Sequence, residues 1–139
     1  ENTLQYSLPF EHNYGLINLK TGQIFIKNEY TFISKDGTGN YIVEKNNSQY
    51  QNGVLNSEGK QIIPTEYYYI MLMNGNKYYR LDKELNDINK YGIADLSGKI
   101  IVPAECNWID KNPSGFIYNV KKNGENYKFN AQTGALTKE

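Results

Sequence analysis

The chain has 139 residues, with 15 Lys and Arg against 15 Asp and Glu. It therefore carries no net charge with which to grip nucleic acid or an anionic membrane, and neither half is a basic lobe: residues 1–70 hold 5 basic and 7 acidic groups, residues 71–139 hold 10 and 8. One Cys and one His exclude a disulfide framework and a Cys-rich zinc site, and no apolar run is long enough to span a bilayer.

The length fits one domain. Apolar residues, counting Gly and leaving out Tyr, number 53 of 139, below the usual share of roughly 45–50 %. The 13 Tyr supply rings that fill a core when their hydroxyls reach water or a partner, and the 19 Asn suit turns.

In chain order, Leu4–Leu8 reads as a leading strand, followed by a polar connection around His12. Three copies of one pattern come next. The first runs Tyr14-Gly15-Leu16-Ile17-Asn18, Gly22, Ile24, Glu29-Tyr30, Phe32-Ile33. The second runs Asn52-Gly53-Val54-Leu55-Asn56, Gly59, Ile62, Pro64, Glu66-Tyr67, Tyr69-Ile70. The third runs Tyr91-Gly92-Ile93-Ala94-Asp95, Gly98, Ile101, Pro103, Glu105-Cys106, Trp108-Ile109. A Tyr-x-aliphatic step recurs at Tyr41, Tyr79 and Tyr118, and all these anchors share spacings of 37 to 39 residues. The units are 14–51, 52–90 and 91–126, with a partial copy at 127–139.

Each unit predicts four short strands. An apolar run ends in Asn or Asp, a turn with Gly follows, and a β-branched run then ends at Pro64 or Pro103. A third strand carries Phe32, Tyr69 or Trp108, and a fourth is the Tyr-x-aliphatic run, closed by Asn46-Asn47 or Asn123-Gly124. Asp82–Asn89 is the one stretch compatible with a helical turn, and reads as a solvated acidic connection. The expected fold is all-β: one domain over 1–139 of three and a half tandem units of antiparallel strands, arranged as a linear stack or a propeller-like or barrel-like body.

The segments Tyr14–Ile33, Asn52–Ile70 and Tyr91–Ile109 resemble the WG-repeat family, found mainly in bacterial proteins. The resemblance rests on Tyr91-Gly92, Gly59-Lys60, Gly98-Lys99, Ile63-Pro64 and Val102-Pro103. Tyr14 and Tyr91 stand where the family has Trp, Asn52 replaces it in the second copy, and Lys27 replaces Pro in the first. The resemblance implies a tandem β architecture used for binding, with no common enzymatic activity.

Positions that recur once per unit are expected to pack: Tyr14, Tyr91 and Tyr127, the Ile33, Ile70 and Ile109 series, and the Phe32, Tyr69 and Trp108 series. Glu29, Glu66 and Glu105 lie one unit apart, so they form no catalytic carboxylate pair. Cys106 stands where the other copies have Tyr30 and Tyr67 and reads as core; a nucleophile would need His12 as its base. No catalytic, metal or cofactor site is expected.

Residues outside the repeat pattern are the candidates for contact with a partner. They are the rings of Tyr50, Tyr68 and Tyr78, and the acids Asp82, Glu84 and Asp87, which would meet a basic groove if the partner is a nuclease. The expectation is a non-enzymatic protein binder, in its narrower form an immunity protein that blocks a cognate toxin domain, with a cytoplasmic location favoured. The alternatives are a secreted or periplasmic glycan or cell-wall binder, and a structural repeat of a larger surface protein.

Overall fold

The computed structural model describes residues 3–8 and 13–139. All their regular structure is β, and no helix among them is long and apolar enough to cross a membrane. The strands are β1 (Thr3–Ser7), β2 (Tyr14–Asn18), β3 (Ile24–Tyr30), β4 (Phe32–Lys35), β5 (Tyr41–Glu44), β6 (Asn52–Leu55), β7 (Gln61–Tyr67) and β8 (Tyr69–Leu72). They continue with β9 (Tyr78–Leu85), β10 (Ile88–Asp95), β11 (Ile100–Cys106), β12 (Trp108–Ile109), β13 (Ile117–Lys122), β14 (Glu125–Asn130) and β15 (Leu136–Lys138). Four antiparallel meanders result: β1-β2-β3, β4-β5-β6-β7, β8-β9-β10-β11 and β12-β13-β14-β15.

The sheets are out of phase with the sequence repeat. A repeat begins at residue 14, 52 or 91, yet the chain passes from one sheet to the next at Thr31, Tyr68 and Asn107. Each repeat therefore supplies the last two strands of one sheet and the first two of the next. The same hydrogen bond marks each passage: Thr31 N–H donates to the Glu44 carbonyl (2.8 Å), Tyr68 to Asp82 (2.7 Å) and Asn107 to Lys121 (2.8 Å).

The chain divides into two compact units, Glu1–Glu66 and Tyr67–Glu139. In the first, Leu16, Ile26 and Tyr30 pack against Tyr41, Val43 and Leu55. In the second, Tyr91, Ile93, Val102 and Cys106 pack against Ile109, Tyr118, Val120 and Phe129.

Two recurring devices explain the repeated residues. The Asn or Asp that ends β2, β10 and β14, or directly follows β6, organises the next turn. Asn18 accepts from Lys20 and Thr21, Asn56 from Glu58 and Lys60, Asp95 from Ser97 and Lys99, and Asn130 from Gln132 and Thr133. These are side-chain mimics of a backbone turn, completed by Gly22, Gly59, Gly98 and Gly134 at positive φ.

The second device is a bulge. Tyr91 pairs with Cys106 and Ile93 with Val102, so Pro103, Ala104 and Glu105 all lie opposite Gly92. The same shift separates Tyr14↔Tyr30 from Leu16↔Ile26, opposite Gly15. The crossing is so close that a Cβ on Gly92 would lie 2.6 Å from the Val102 carbonyl and 2.7 Å from Ala104 N; one on Gly53 would lie 2.6 Å from the Ile63 carbonyl.

Three expectations are corrected. Pro64 and Pro103 do not end their strands, because β7 and β11 are edge strands and tolerate a missing donor. Asp82–Asn89 is neither helical nor an irregular connection. Leu85 pairs with Ile88 across a two-residue turn at Asn86 and Asp87, both at positive φ, which makes a regular hairpin. Phe32, Tyr69 and Trp108 are exposed, at 54 %, 50 % and 44 %, rather than core. They open β4, β8 and β12 on the face opposite to that of the following Ile, which turns inward.

Two outcomes are expected. Gly92→Ala should lower the stability measured by urea unfolding by about 1–3 kcal/mol, the usual cost of forcing atoms into a packed site. Partial burial pushes the Asp95 carboxyl up, but hydrogen bonds from Ser97 and Lys99 outweigh it and hold it below the usual aspartate range. Its contribution is complete above that range and is lost as pH falls through the lowered value. Asp95→Asn, the residue type of the other copies, should flatten the acid side of the stability–pH curve.

Candidate functional site

Three residues that break the repeat, Tyr68, Arg80 and Asp82, lie together in the Tyr67–Glu139 unit. At the passage between sheets, Thr31 Oγ1 and Asn107 Oδ1 accept a hydrogen bond from the N–H of Asn47 and Asn123 (3.0 Å each), capping the adjoining turn. The second copy has Tyr68 at this position, a ring too large for that cap and 37 % exposed. On the strand beside it, Arg80 and Asp82 occupy places where the other copies have Ile42 and Glu44, or Asn119 and Lys121.

Arg80 and Asp82 are two residues apart on β9 and so share a face. They form a bidentate pair, Nε to Oδ1 at 2.8 Å and Nη2 to Oδ2 at 2.7 Å, with side chains 1 % and 8 % exposed. The Arg80 guanidinium also lies 5.7 Å from the Tyr91 ring centre, and Nη1 reaches the Asp110 carbonyl at 3.5 Å. The planar fork of arginine suits such a site.

Beside this pair lies a cleft of about 520 Å³ lined by Tyr68, Tyr69, Met71, Arg80, Asp82, Lys111 and Asn112. Its size is that of a ligand or side-chain pocket. Tyr69 lies in register with Asp82, and Met71 with Arg80, so the β8 edge forms one wall. Lys111 and Asn112, in the connection between β12 and β13, form another. Arg80 and Asp82 neutralise one another, so Lys111 is the charge left among the lining residues. The surface offers two phenol rings, a thioether and one cation, which is recognition chemistry.

The six predicted contact residues do not form one patch. Tyr68 lines the cleft, and Asp82 lies within it, but its carboxylate is committed to Arg80 and unavailable to a basic groove. Tyr78 packs edge-on against Phe129, ring centres 5.1 Å apart, and belongs to the core margin because it faces the β14 side chains. Glu84 is half-buried on β9, and Asp87 sits exposed at the hairpin tip, so the acids are spread along the hairpin. Tyr50, 47 % exposed, belongs to the other unit. The lining residues missed by sequence reasoning are Tyr69, Met71, Arg80, Lys111 and Asn112; the departure of Arg80 from Ile42 and Asn119 was the available signal.

Cys106 is fully buried, and burial pushes its thiol up, so it stays protonated near neutral pH. His12, its only possible imidazole partner in the sequence, lies outside the described residues. Among the described residues no three His, Cys, Asp or Glu side chains are grouped to hold a metal ion.

Removing one partner of the buried pair should be costly. Asp82→Ala is expected to destabilise the protein by about 3–5 kcal/mol, because Arg80 is left charged and unpaired. The double replacement Arg80→Met with Asp82→Leu should recover most of that loss in urea unfolding.

No curated protein matches the chain. Similar solved structures include a eukaryotic initiation factor, at 12 % identity and TM-score 0.45 over 100 % of this chain and 42 % of that one. Others are a nidogen/laminin complex (12 %, 0.42, over 89 % and 55 %) and the N-terminal domain of Nup159 (13 %, 0.45, over 92 % and 38 %). This chain thus spans about half, or less, of each. The profile of the WG containing repeat matches residues 91–125. Those residues hold Tyr91-Gly92 crossed by the Pro103 bulge, the Asp95 turn and strand β13, and the chain accordingly carries a WG-containing repeat at 91–125, in a register that recurs in the two units before it.

Proposed function

We propose that this chain is a non-enzymatic protein-binding module whose recognition site is the cleft walled by Tyr68, Tyr69 and Lys111. One observation carries the reading: three side chains that depart from the repeat, Tyr68, Arg80 and Asp82, meet at one cleft beside the exposed Tyr69 ring and Lys111. Exposed tyrosines around a partly apolar cleft are the usual material of a binding hot spot. With Lys111 as the charge left over, the partner group that fits is an apolar or aromatic side chain flanked by an acid. The narrower form of this reading is an immunity protein that neutralises a cognate toxin.

A second reading, glycan binding, is favoured by the exposed ring faces of Tyr68 and Tyr69, on which sugar rings stack.

The tagged chain should capture one stoichiometric protein from its source cells, and Tyr68→Ala with Lys111→Glu should lose that protein while keeping the circular dichroism of the parent. Co-expression tests the narrower form: a captured protein that is toxic alone should be harmless beside this chain. A clean preparation that instead retains sugars on a glycan array would overturn protein binding.

A further inference from the structure

Tyr30, Tyr67 and Cys106 end β3, β7 and β11, three strands with one and the same sequence of exposed and buried residues. In the first two, a lysine stands over the ring: Lys45 Nζ lies 5.6 Å from the Tyr30 ring centre, and Lys83 Nζ lies 5.6 Å from that of Tyr67. Lys45, Lys83 and Lys122 follow the same spacing, 38 and then 39 residues. The third copy thus keeps the lysine and lacks the ring.

A cavity of about 160 Å³ lies at that place, between Val102, Pro103, Val120, Lys122 and Tyr127 and bordering Cys106. An apolar cavity of about 150 Å³ takes up a benzene ring. The Cys106 side chain is itself covered, so the space is shaped for a ring and not for thiol chemistry. Lys122 lines the cavity and forms an ion pair with Glu105 at 3.8 Å. The other two copies display what such a site accepts, a phenol ring entering on a polypeptide side chain.

We propose that this cavity is a receptor for one tyrosine ring supplied by a partner polypeptide, seated beneath Lys122 as Tyr30 and Tyr67 sit beneath Lys45 and Lys83. The inference rests on the protein-binding reading only for the source of the ring.

The probe is p-cresol, the tyrosine side chain without its backbone, titrated into the full chain and followed by amide NMR. Saturable shifts at Val102, Val120, Lys122 and Tyr127 in the millimolar range are expected, and N-acetyl-tyrosine amide should shift the same residues. Lys122→Met should weaken binding about two- to fivefold, the effect of an exposed cation over a ring. Cys106→Tyr should abolish it by filling the cavity from within. Absence of saturable shifts, or equal binding by Cys106→Tyr, overturns the site. If Cys106→Tyr fails to fold, the surface variant decides, and unchanged affinity in Lys122→Met overturns it. Binding of p-cresol without binding of the capped tyrosine overturns the polypeptide source, and leaves the cleft and its capture experiment untouched.

Discussion

The architecture depends on a close crossing of two backbones. Three residues of an edge strand bulge over a single glycine, at Gly15 and again at Gly92, and the approach leaves no room for a β-carbon. A bulge bends its strand and sharpens the local twist. Here it comes just before the residue at which the chain leaves one sheet for the next. The glycine is therefore required by proximity and not by a left-handed backbone, unlike the turn glycines. Pro103 belongs to the same device, since a bulged edge strand has little use for the donor that proline lacks.

Because the chain changes sheets in mid-repeat, each sequence unit is divided between two sheets. Within the third copy, Tyr91 and Ile93 on β10 pack against Val120 on β13, which lies in the next sheet. Stability in such a repeat resides in the packing between neighbours. The arrangement also frees certain positions. The passage residue needs only its backbone N–H to make its bond, so its side chain is a cap in the first and third copies and a ring at the cleft in the second.

The buried Arg80–Asp82 pair shows how a departure from the pattern is accommodated. Two charges in an apolar layer are costly unless each satisfies the other, and these two do so with both carboxylate oxygens. Arg80 on β9 further ties to the Tyr91 ring on β10 and the Asp110 carbonyl beyond β12. The floor of the cleft is thus tied to two strands and to the connection after β12, and Tyr68, Tyr69 and Lys111 stand around it.

The amino-acid sequence by itself determined the repeat, the all-β class and most strand positions, because spacing, turn residues and β-branched runs are local signals. It also singled out Tyr68 as a ring outside the pattern. Four things were decided only in three dimensions. Phe32, Tyr69 and Trp108 recur like core residues, yet stand on the outer face of their strands, and which face is covered depends on how the sheets pack. Tyr78 looked like a spare ring until Phe129, 51 residues away, was found against it. Asp82 read as a solvated acid, but its partner two residues earlier points the same way into a layer that a second sheet covers. Cys106 read as a core filler, which it is; that its small side chain borders a cavity of about 160 Å³ shared with Lys122 follows from packing between β11 and β13, which no local pattern records.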